Sequence, residues 1–230
     1  MLLLISPINT QEAREAIDGG ADIIDVKNPK EGSLGANFPW VIREIKAFSK
    51  KPVSAAIGDF DYKPGGASLA AYGAACAGAD YVKIGLAFGG KERARDVISA
   101  VVKAVKEPFP EKFVVIAAYS DFERMHSISP FEMAPIAAEC GADFAMVDTG
   151  IKDRQSTFAF MDEETLRSFS EKNRKLGLGT ALAGALKFED IDALKRINPE
   201  IIGVRGMVCG GDRNATVRED LIKTALAMIR

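Results

Sequence analysis

The chain has 230 residues and a formal net charge of −2, a balance that argues against the strongly basic surface typical of nucleic-acid binding. Its three cysteines, Cys76, Cys140 and Cys209, lack CxxC spacing, which argues against a zinc site or a disulfide framework and favours a reducing compartment. No apolar stretch approaches the roughly 20 residues that a membrane-spanning helix needs, so we expect a cytoplasmic protein with no membrane partner.

Short apolar stretches alternate with helical patterns along the whole chain. The eight stretches that predict strands are residues 2–6, 23–26, 52–57, 81–84, 113–118, 144–147, 179–183 and 201–204. The intervening patterns predict helices at residues 10–18, 39–49, 68–77, 92–105, 130–140, 162–176, 188–197 and 218–229. A strand followed by a helix, eight times over, predicts a parallel sheet covered by helices.

A weak internal echo favours closure of that sheet into a barrel. The tripeptide Gly-Ala-Asp precedes three of the strands, at residues 20–22, 78–80 and 141–143, and Asn198-Pro-Glu200 is a looser fourth copy. The copies lie roughly sixty residues apart, as expected for a fold built from equivalent units. The sequence therefore predicts an α/β fold, a single (β/α)8 barrel domain over residues 1–230, with an open doubly wound sheet as the competing architecture.

Lysines and carboxylates fall at the carboxyl ends of the predicted strands, where barrels carry their active sites. The period of two turns Asp25 and Lys27 into the barrel with Ile23, and the fourth strand turns Lys83 the same way. Asp148 ends the sixth strand, four residues before Lys152. Crowded cations lower the pKa of one lysine, and the free amine attacks carbonyls to form a Schiff base. The alternative is a set of ion pairs, Asp25 with Lys27 and Asp148 with Lys83, that grips an anion without covalent chemistry.

A second signal follows the last two strands. Glycines at positions 184, 206, 210 and 211 stand where barrels often bind phosphate through exposed backbone N–H groups. Arg205 lies among them, and we expect its guanidinium to add a bidentate clamp. The predicted phosphate site therefore consists of Gly184, Arg205, Gly206, Gly210 and Gly211. No metal site is expected, because the only histidine, His126, has no second histidine to join it.

The segment Asp25-Val-Lys-Asn-Pro-Lys-Glu-Gly-Ser-Leu-Gly-Ala-Asn37 closely resembles the (5-formylfuran-3-yl)methyl phosphate synthase family, also called 4-HFC-P synthase. The resemblance continues through residues 62–65, 78–83, 147–152, 182–184, 203–206 and 210–214. It implies a barrel that joins two molecules of glyceraldehyde 3-phosphate into a phosphorylated furan aldehyde, with loss of phosphate and water, in methanofuran biosynthesis. It also implies that Lys27 forms the Schiff base and Lys83 transfers protons, and that Asp25, Asp148 and Lys152 assist.

The resulting hypothesis is a carbon–oxygen lyase acting on phosphates, a homo-oligomer whose partner is a small triose phosphate. It needs no metal or organic cofactor, because the lysine itself is the electron sink. One alternative is a class I Schiff-base aldolase acting on another phosphosugar. Another is a non-catalytic barrel that binds phosphometabolites, which would form no covalent adduct on treatment with borohydride.

Overall fold

The computed structural model describes all 230 residues and closes eight parallel strands into a barrel, with β8 paired to β1. The strands are β1 (Leu2–Ile5), β2 (Ile23–Val26), β3 (Val53–Phe60), β4 (Tyr81–Leu86), β5 (Phe113–Tyr119), β6 (Phe144–Asp148), β7 (Gly179–Leu182) and β8 (Ile201–Val204). The predicted (β/α)8 fold is confirmed, and the open doubly wound sheet is excluded. Strands β3, β4 and β5 run past their predicted ends because their last residues pair with neighbouring strands at the barrel mouth.

Nine helices surround the barrel: α1 (Thr10–Asp18), α2 (Pro39–Phe48), α3 (Pro64–Cys76), α4 (Lys91–Lys106), α5 (Phe122–Met125), α6 (Pro130–Glu139), α7 (Glu163–Lys175), α8 (Ile191–Ile197) and α9 (Glu219–Ile229). Side-chain caps from Asn9, Ser129 and Asp162 fix the starts of α1, α6 and α7. The four-residue α5 is an addition to the prediction, since it is too short to show a helical period. None of the helices is long and apolar enough to cross a membrane.

The alternation of side chains along each strand divides the core into two layers. Ile24 and Val26 point outward and pack in the large cluster between sheet and helices. Ile23 points inward to a smaller cluster inside the barrel that consists of Leu4, Ile23, Leu34, Ala56, Val115, Ala117, Met146, Ala181, Ala183 and Ile201. Four of these ten residues are alanines, which leave space at the centre of the barrel for longer polar side chains.

The four-fold echo has a structural counterpart at the amino-terminal ends of the strands. The acidic residue of each copy accepts a hydrogen bond from a backbone N–H in the preceding odd-numbered strand. The four bonds are Leu3 N to Asp22 at 2.9 Å, and Val53 N to Asp80, Val114 N to Asp143 and Thr180 N to Glu200, each at 2.7 Å. We call each such contact a staple, because it ties an even-numbered strand to its odd-numbered predecessor beyond the regular ladder.

Each staple also includes a cation, which in three of them comes from the helix that precedes the odd-numbered strand and in the one at Asp22 is Arg230, the residue after α9. Asp22 pairs with Arg230, Asp80 with Lys46, Asp143 with Lys106 and Glu200 with Arg174. The residue two places before each acid has a positive φ, between 54° at Asn198 and 107° at Gly78, which explains glycine in three copies and asparagine in the fourth.

Candidate active site

Asp25 is completely buried inside the barrel and is saturated with hydrogen bonds. Both of its oxygens accept from Lys83 Nζ at 2.8 Å. The hydroxyl groups of Ser6 and Ser54 donate to the same carboxylate at 2.9 and 2.7 Å. Although burial raises the pKa of Asp25, the ammonium groups of Lys83 and Lys27 hold it below its usual value. The ion pair of Asp25 with Lys27 in the alternative, non-covalent interpretation is therefore wrong, because Lys83 reaches Asp25 across β3 and occupies both oxygens.

Lys27 is left as the free amine of the site. Its side chain is buried, yet its Nζ has one acceptor, the carbonyl oxygen of Ser33, at 3.5 Å. The pKa of Lys27 is lowered to about 8, chiefly by burial; the charges of Lys83 and Lys152 contribute to this shift, whereas Asp148 and Asp25 oppose it. The amine of Lys27, next to Asp25 and Asp148, is therefore partly neutral near physiological pH.

Asp148 pairs with Lys152, so the ion pair of Asp148 with Lys83 in the alternative interpretation is also wrong. Lys152 Nζ donates to Asp148 Oδ1 at 2.7 Å and to the carbonyl and hydroxyl oxygens of Thr149 at 2.6 and 2.9 Å. Asp148 Oδ1 also accepts from Thr149 N at 2.7 Å, while its Oδ2 accepts no hydrogen bond from the protein. Burial raises the pKa of Asp148, but Lys152 and Lys27 hold it below its usual value, which leaves a carboxylate with one free oxygen.

Two carboxylates, the buried Asp121 and the partly buried Asp59, position the loops that carry these groups. Asp121 accepts from Gly150 N at 2.6 Å and from Ile151 N at 3.0 Å, which fixes the loop between Asp148 and Lys152. Asp59 accepts from Leu34 N at 3.0 Å and from the buried Tyr119 hydroxyl, which fixes the loop after β2. The pairing of these carboxylates with loop N–H groups and with Tyr119 could not be deduced from the sequence, because the partners lie 25 to 60 residues away.

The two loops are also joined to each other. Ser33 Oγ donates to the carbonyl oxygen of Thr149 at 2.8 Å, the same oxygen that accepts from Lys152. The carbonyl of Ser33 in turn faces Lys27 Nζ. The position of the free amine is thereby coupled to the position of the Asp148–Lys152 pair.

Arg205 does not have the role expected from the sequence. Its side chain is buried, and all five of its N–H groups have acceptors inside the chain. Two of these acceptors are the carboxylate oxygens of Glu12, at 2.7 and 3.3 Å. The other three are the carbonyl oxygens of Ser6, Arg213 and Ala215, at 2.7, 2.6 and 3.1 Å. The guanidinium has no donor left for a phosphate, so the expected clamp is corrected to a structural support of the loop after β8.

The glycines predicted for phosphate divide into two groups. The backbone N–H groups of Gly184 and Gly206, like those of Ala185 and Met207 that follow them, donate to no acceptor in the protein. Gly210 and Gly211 instead donate their N–H groups to the carbonyl of Gly206, so they shape the turn and are corrected from ligands to turn formers. Gly184 has a φ of 95°, and a Cβ there would overlap the hydroxyl oxygen of Thr157.

A cavity of about 830 Å³ opens at the carboxyl ends of the strands, and every site residue predicted from the sequence lines it. The lysines and carboxylates on β2, β4 and β6 contribute to one part of its wall, and the glycine-rich loops after β7 and β8 contribute to another. The cavity is also lined by Arg154, Lys187, Arg213 and Arg218, four cations that the sequence prediction did not include. No group of three or more His, Cys, Asp or Glu side chains is arranged to hold a metal ion.

The sequence matches a family model described as 4-HFC-P synthase over residues 3–226. A protein of Methanosarcina mazei named (5-formylfuran-3-yl)methyl phosphate synthase is 57% identical over 230 residues, with 99% of this chain and 98% of the relative covered. A protein of Archaeoglobus fulgidus with the same name is 52% identical over 227 residues, with 96% of each chain covered.

Solved structures of lower identity share the barrel. KGPDC from Streptococcus mutans superposes with a TM-score of 0.68 at 14% identity, and the alignment covers 99% of this chain and 96% of that chain. The 3-hexulose-6-phosphate synthase from Salmonella typhimurium has a TM-score of 0.66 at 20% identity, with both chains fully covered. At these identities the likeness establishes the fold alone.

Proposed function

Because the chain belongs to the 4-HFC-P synthase family, we propose that it is a lyase that condenses two molecules of glyceraldehyde 3-phosphate into (5-formylfuran-3-yl)methyl phosphate through a Schiff base on Lys27. The observation that carries the proposal is the contrast among three neighbouring lysines. Lys83 and Lys152 are each held by a carboxylate at 2.7 to 2.8 Å, whereas Lys27 has no carboxylate in contact and a pKa of about 8. A nucleophilic amine must be neutral, and a pKa of about 8 leaves a fraction of Lys27 neutral near physiological pH.

In the proposed reaction, Lys27 Nζ adds to the carbonyl carbon of one triose phosphate, and loss of water leaves an iminium ion. The iminium withdraws electrons from the adjacent carbon, so that carbon loses a proton and becomes a nucleophilic enamine carbon. The enamine expels the phosphate from the next carbon, which leaves an unsaturated iminium that is electrophilic at that terminal carbon. Carbon 2 of the second triose phosphate loses its proton and forms the new carbon–carbon bond to this terminal carbon. The oxygen on carbon 2 of the first triose then closes the ring on the aldehyde of the second, two water molecules are lost to form the furan, and hydrolysis of the imine releases Lys27 and the product aldehyde.

The structure supports different proton-transfer roles for Lys83 and Asp148. Lys83 donates to both oxygens of Asp25 and lines the cavity, a position that suits it to donate protons to departing oxygens. Asp148 keeps Oδ2 free beside Lys27, which suits it to accept the proton from the carbon next to the iminium. Lys152 holds the other oxygen of Asp148 and fixes its orientation.

The substrate phosphate is proposed to bind at the glycine-rich part of the cavity. Four backbone N–H groups without acceptors lie there, at Gly184, Ala185, Gly206 and Met207. N–H groups at the ends of the last two strands are the usual phosphate ligands of such barrels. With its phosphate bound in this part of the cavity, the substrate would place its reactive carbons next to the lysines and Asp148.

The experiment combines product analysis with adduct mapping. Incubation with glyceraldehyde 3-phosphate should produce the furan aldehyde, detected by NMR, and borohydride should add mass to the peptide that contains Lys27. The variant Lys27→Arg should form neither the furan aldehyde nor the adduct. The control Lys223→Arg, on the exposed face of α9, should form both. An adduct on Lys83 or Lys152 would contradict the assignment of the Schiff base. An adduct without furan would favour an aldolase, and no adduct at all would favour a phosphometabolite-binding protein.

A further inference from the structure

Arg213 has an unusual environment for an arginine inside a cavity. Its side chain is half-buried and lines the cavity, yet its guanidinium makes no hydrogen bond or salt bridge within the chain. Its one hydrogen bond is through its backbone carbonyl, which accepts from Arg205 Nε at 2.6 Å. Arg205 and Arg213 are thus opposite cases, since all five donors of the first are occupied and all five of the second are available.

A cation removed from water without a partner is unfavourable. Burial lowers the pKa of Arg213, and the nearby charge of Arg205 acts in the same direction, while Asp148 opposes them. The guanidinium still keeps its proton at neutral pH. An anion bound in the cavity would supply the missing acceptors and offset the desolvation of the guanidinium.

The backbone around Arg213 is held firmly in spite of its position in a loop. Arg205 binds the carbonyl oxygens on both sides of the segment, at Arg213 and at Ala215, and is itself anchored on the buried Glu12. Asp212 accepts from Asn214 N through its side chain and from Ala215 N through its carbonyl, both at 3.0 Å. The buried arginine therefore fixes the main chain from which the free arginine extends.

The chemistry of the surroundings identifies the anion. Arg213 follows the same turn that leaves the N–H groups of Gly206 and Met207 without acceptors. A phosphate has enough oxygens to accept from several N–H groups and also from a guanidinium fork, which binds it bidentately. The other cations of the cavity that lack a partner, Arg154 and Lys187, are exposed to solvent and do not carry the same desolvation.

We propose that Arg213 is the specificity-determining residue that recognises the phosphate group of the substrate, in the role first expected of Arg205. The proposal rests on the proposed function, because it takes the substrate to be a phosphorylated aldehyde. It adds a recognition group to the reaction and assigns Arg213 no part in the covalent chemistry.

The test compares two aldehydes that differ only in the phosphate. Glyceraldehyde 3-phosphate and glyceraldehyde are each incubated with the wild-type protein, and borohydride reduces the imine that they form. Mass spectrometry of the peptide that contains Lys27 then gives the trapping rate as a function of aldehyde concentration. The wild type should prefer the phosphorylated aldehyde. Arg213→Gln should lower that preference by at least about tenfold, the typical value of a charge-assisted contact, with the trapping of glyceraldehyde unchanged. Arg213→Lys should give an intermediate preference, since it keeps the charge and loses the fork.

Arg218→Gln is the matched control. Arg218 lies at the rim of the same cavity, but its guanidinium is paired with Asp220 at 2.6 Å, so its removal should leave the preference unchanged. An unaltered preference in Arg213→Gln would overturn the proposal, and so would an equal loss of trapping for both aldehydes, which indicates a structural role. If the wild type forms no adduct with either aldehyde, the proposed function fails instead.

Discussion

Replacement of Lys27 by methionine should make the protein more stable while it abolishes imine formation. The protonated form of Lys27 is buried with one weak acceptor, and burial is the largest cause of its lowered pKa. Methionine has a similar length and no charge, so it removes the unfavourable group and keeps most of the packing. A protein is expected to become more stable when a substitution removes a functional side chain that the folded state holds in an unfavourable environment.

The magnitude follows from the pKa of Lys27, which falls from 10.5 to about 8. One pKa unit is worth about 1.4 kcal/mol, so at pH 7 the folded state is destabilised by roughly 3 kcal/mol relative to a neutral side chain. Between pH 8 and pH 10.5 the unfolded chain binds more protons than the folded one, and the free energy of unfolding of the wild type rises with pH. The destabilisation is complete below pH 8 and is lost as the pH approaches 10.5.

Urea denaturation at two pH values measures the effect. At pH 7, Lys27→Met should raise the free energy of unfolding by up to roughly 3 kcal/mol with an unchanged m-value, and near pH 9.5 the gain should shrink to roughly 1 kcal/mol. Lys83→Met is the matched control in the same cavity. It leaves the buried Asp25 without its ammonium partner and should lower stability by about 3–5 kcal/mol. A Lys27→Met protein no more stable than the wild type at pH 7, or a gain independent of pH, would refute the reasoning.

Three further predictions concern the same site. The rate of borohydride trapping on Lys27 should rise with pH with a midpoint near 8, and a midpoint near 10.5 would contradict the shifted pKa. Lys83→Ala should still trap substrate at high pH yet form no furan at any pH; near-normal turnover at high pH would move proton transfer to another group. Gly85→Ala places a Cβ against the Tyr119 hydroxyl and Asp59, so it should lower the free energy of unfolding by about 1–3 kcal/mol in urea, and unchanged stability would contradict this contact.

The sequence predicted the elements and the faces of the strands, because both depend on local patterns. The period of two along residues 23–27 and 81–85 correctly turned Asp25, Lys27 and Lys83 toward the interior. The recurrence of Gly-Ala-Asp also marked real structural equivalence, since each copy forms a staple.

The partners of the charged groups could not be predicted in the same way. Asp25 lies two residues from Lys27 but binds Lys83, 58 residues away, because strand register and the length of the lysine decide which atoms meet. Arg205 pairs with Glu12, 193 residues away, and the sequence alone cannot distinguish this saturated arginine from the available Arg213. The homo-oligomer expected from the sequence stays a prediction.

The staples also bear on the ancestry of the barrel. They repeat once per pair of strands, and the one at Asp22 joins Arg230, after α9, to the first pair of strands, so the ring closes with the same three-part contact throughout. Such a ring is the expected trace of gene duplication from a quarter-barrel of about sixty residues, preserved at the end opposite the cavity. The cavity end shows no such symmetry, with lysines on β2 and β4, a carboxylate on β6 and glycine loops after β7 and β8. The structural repeat is thus confined to the base of the barrel, while the loops at the opposite end differ from one pair of strands to the next.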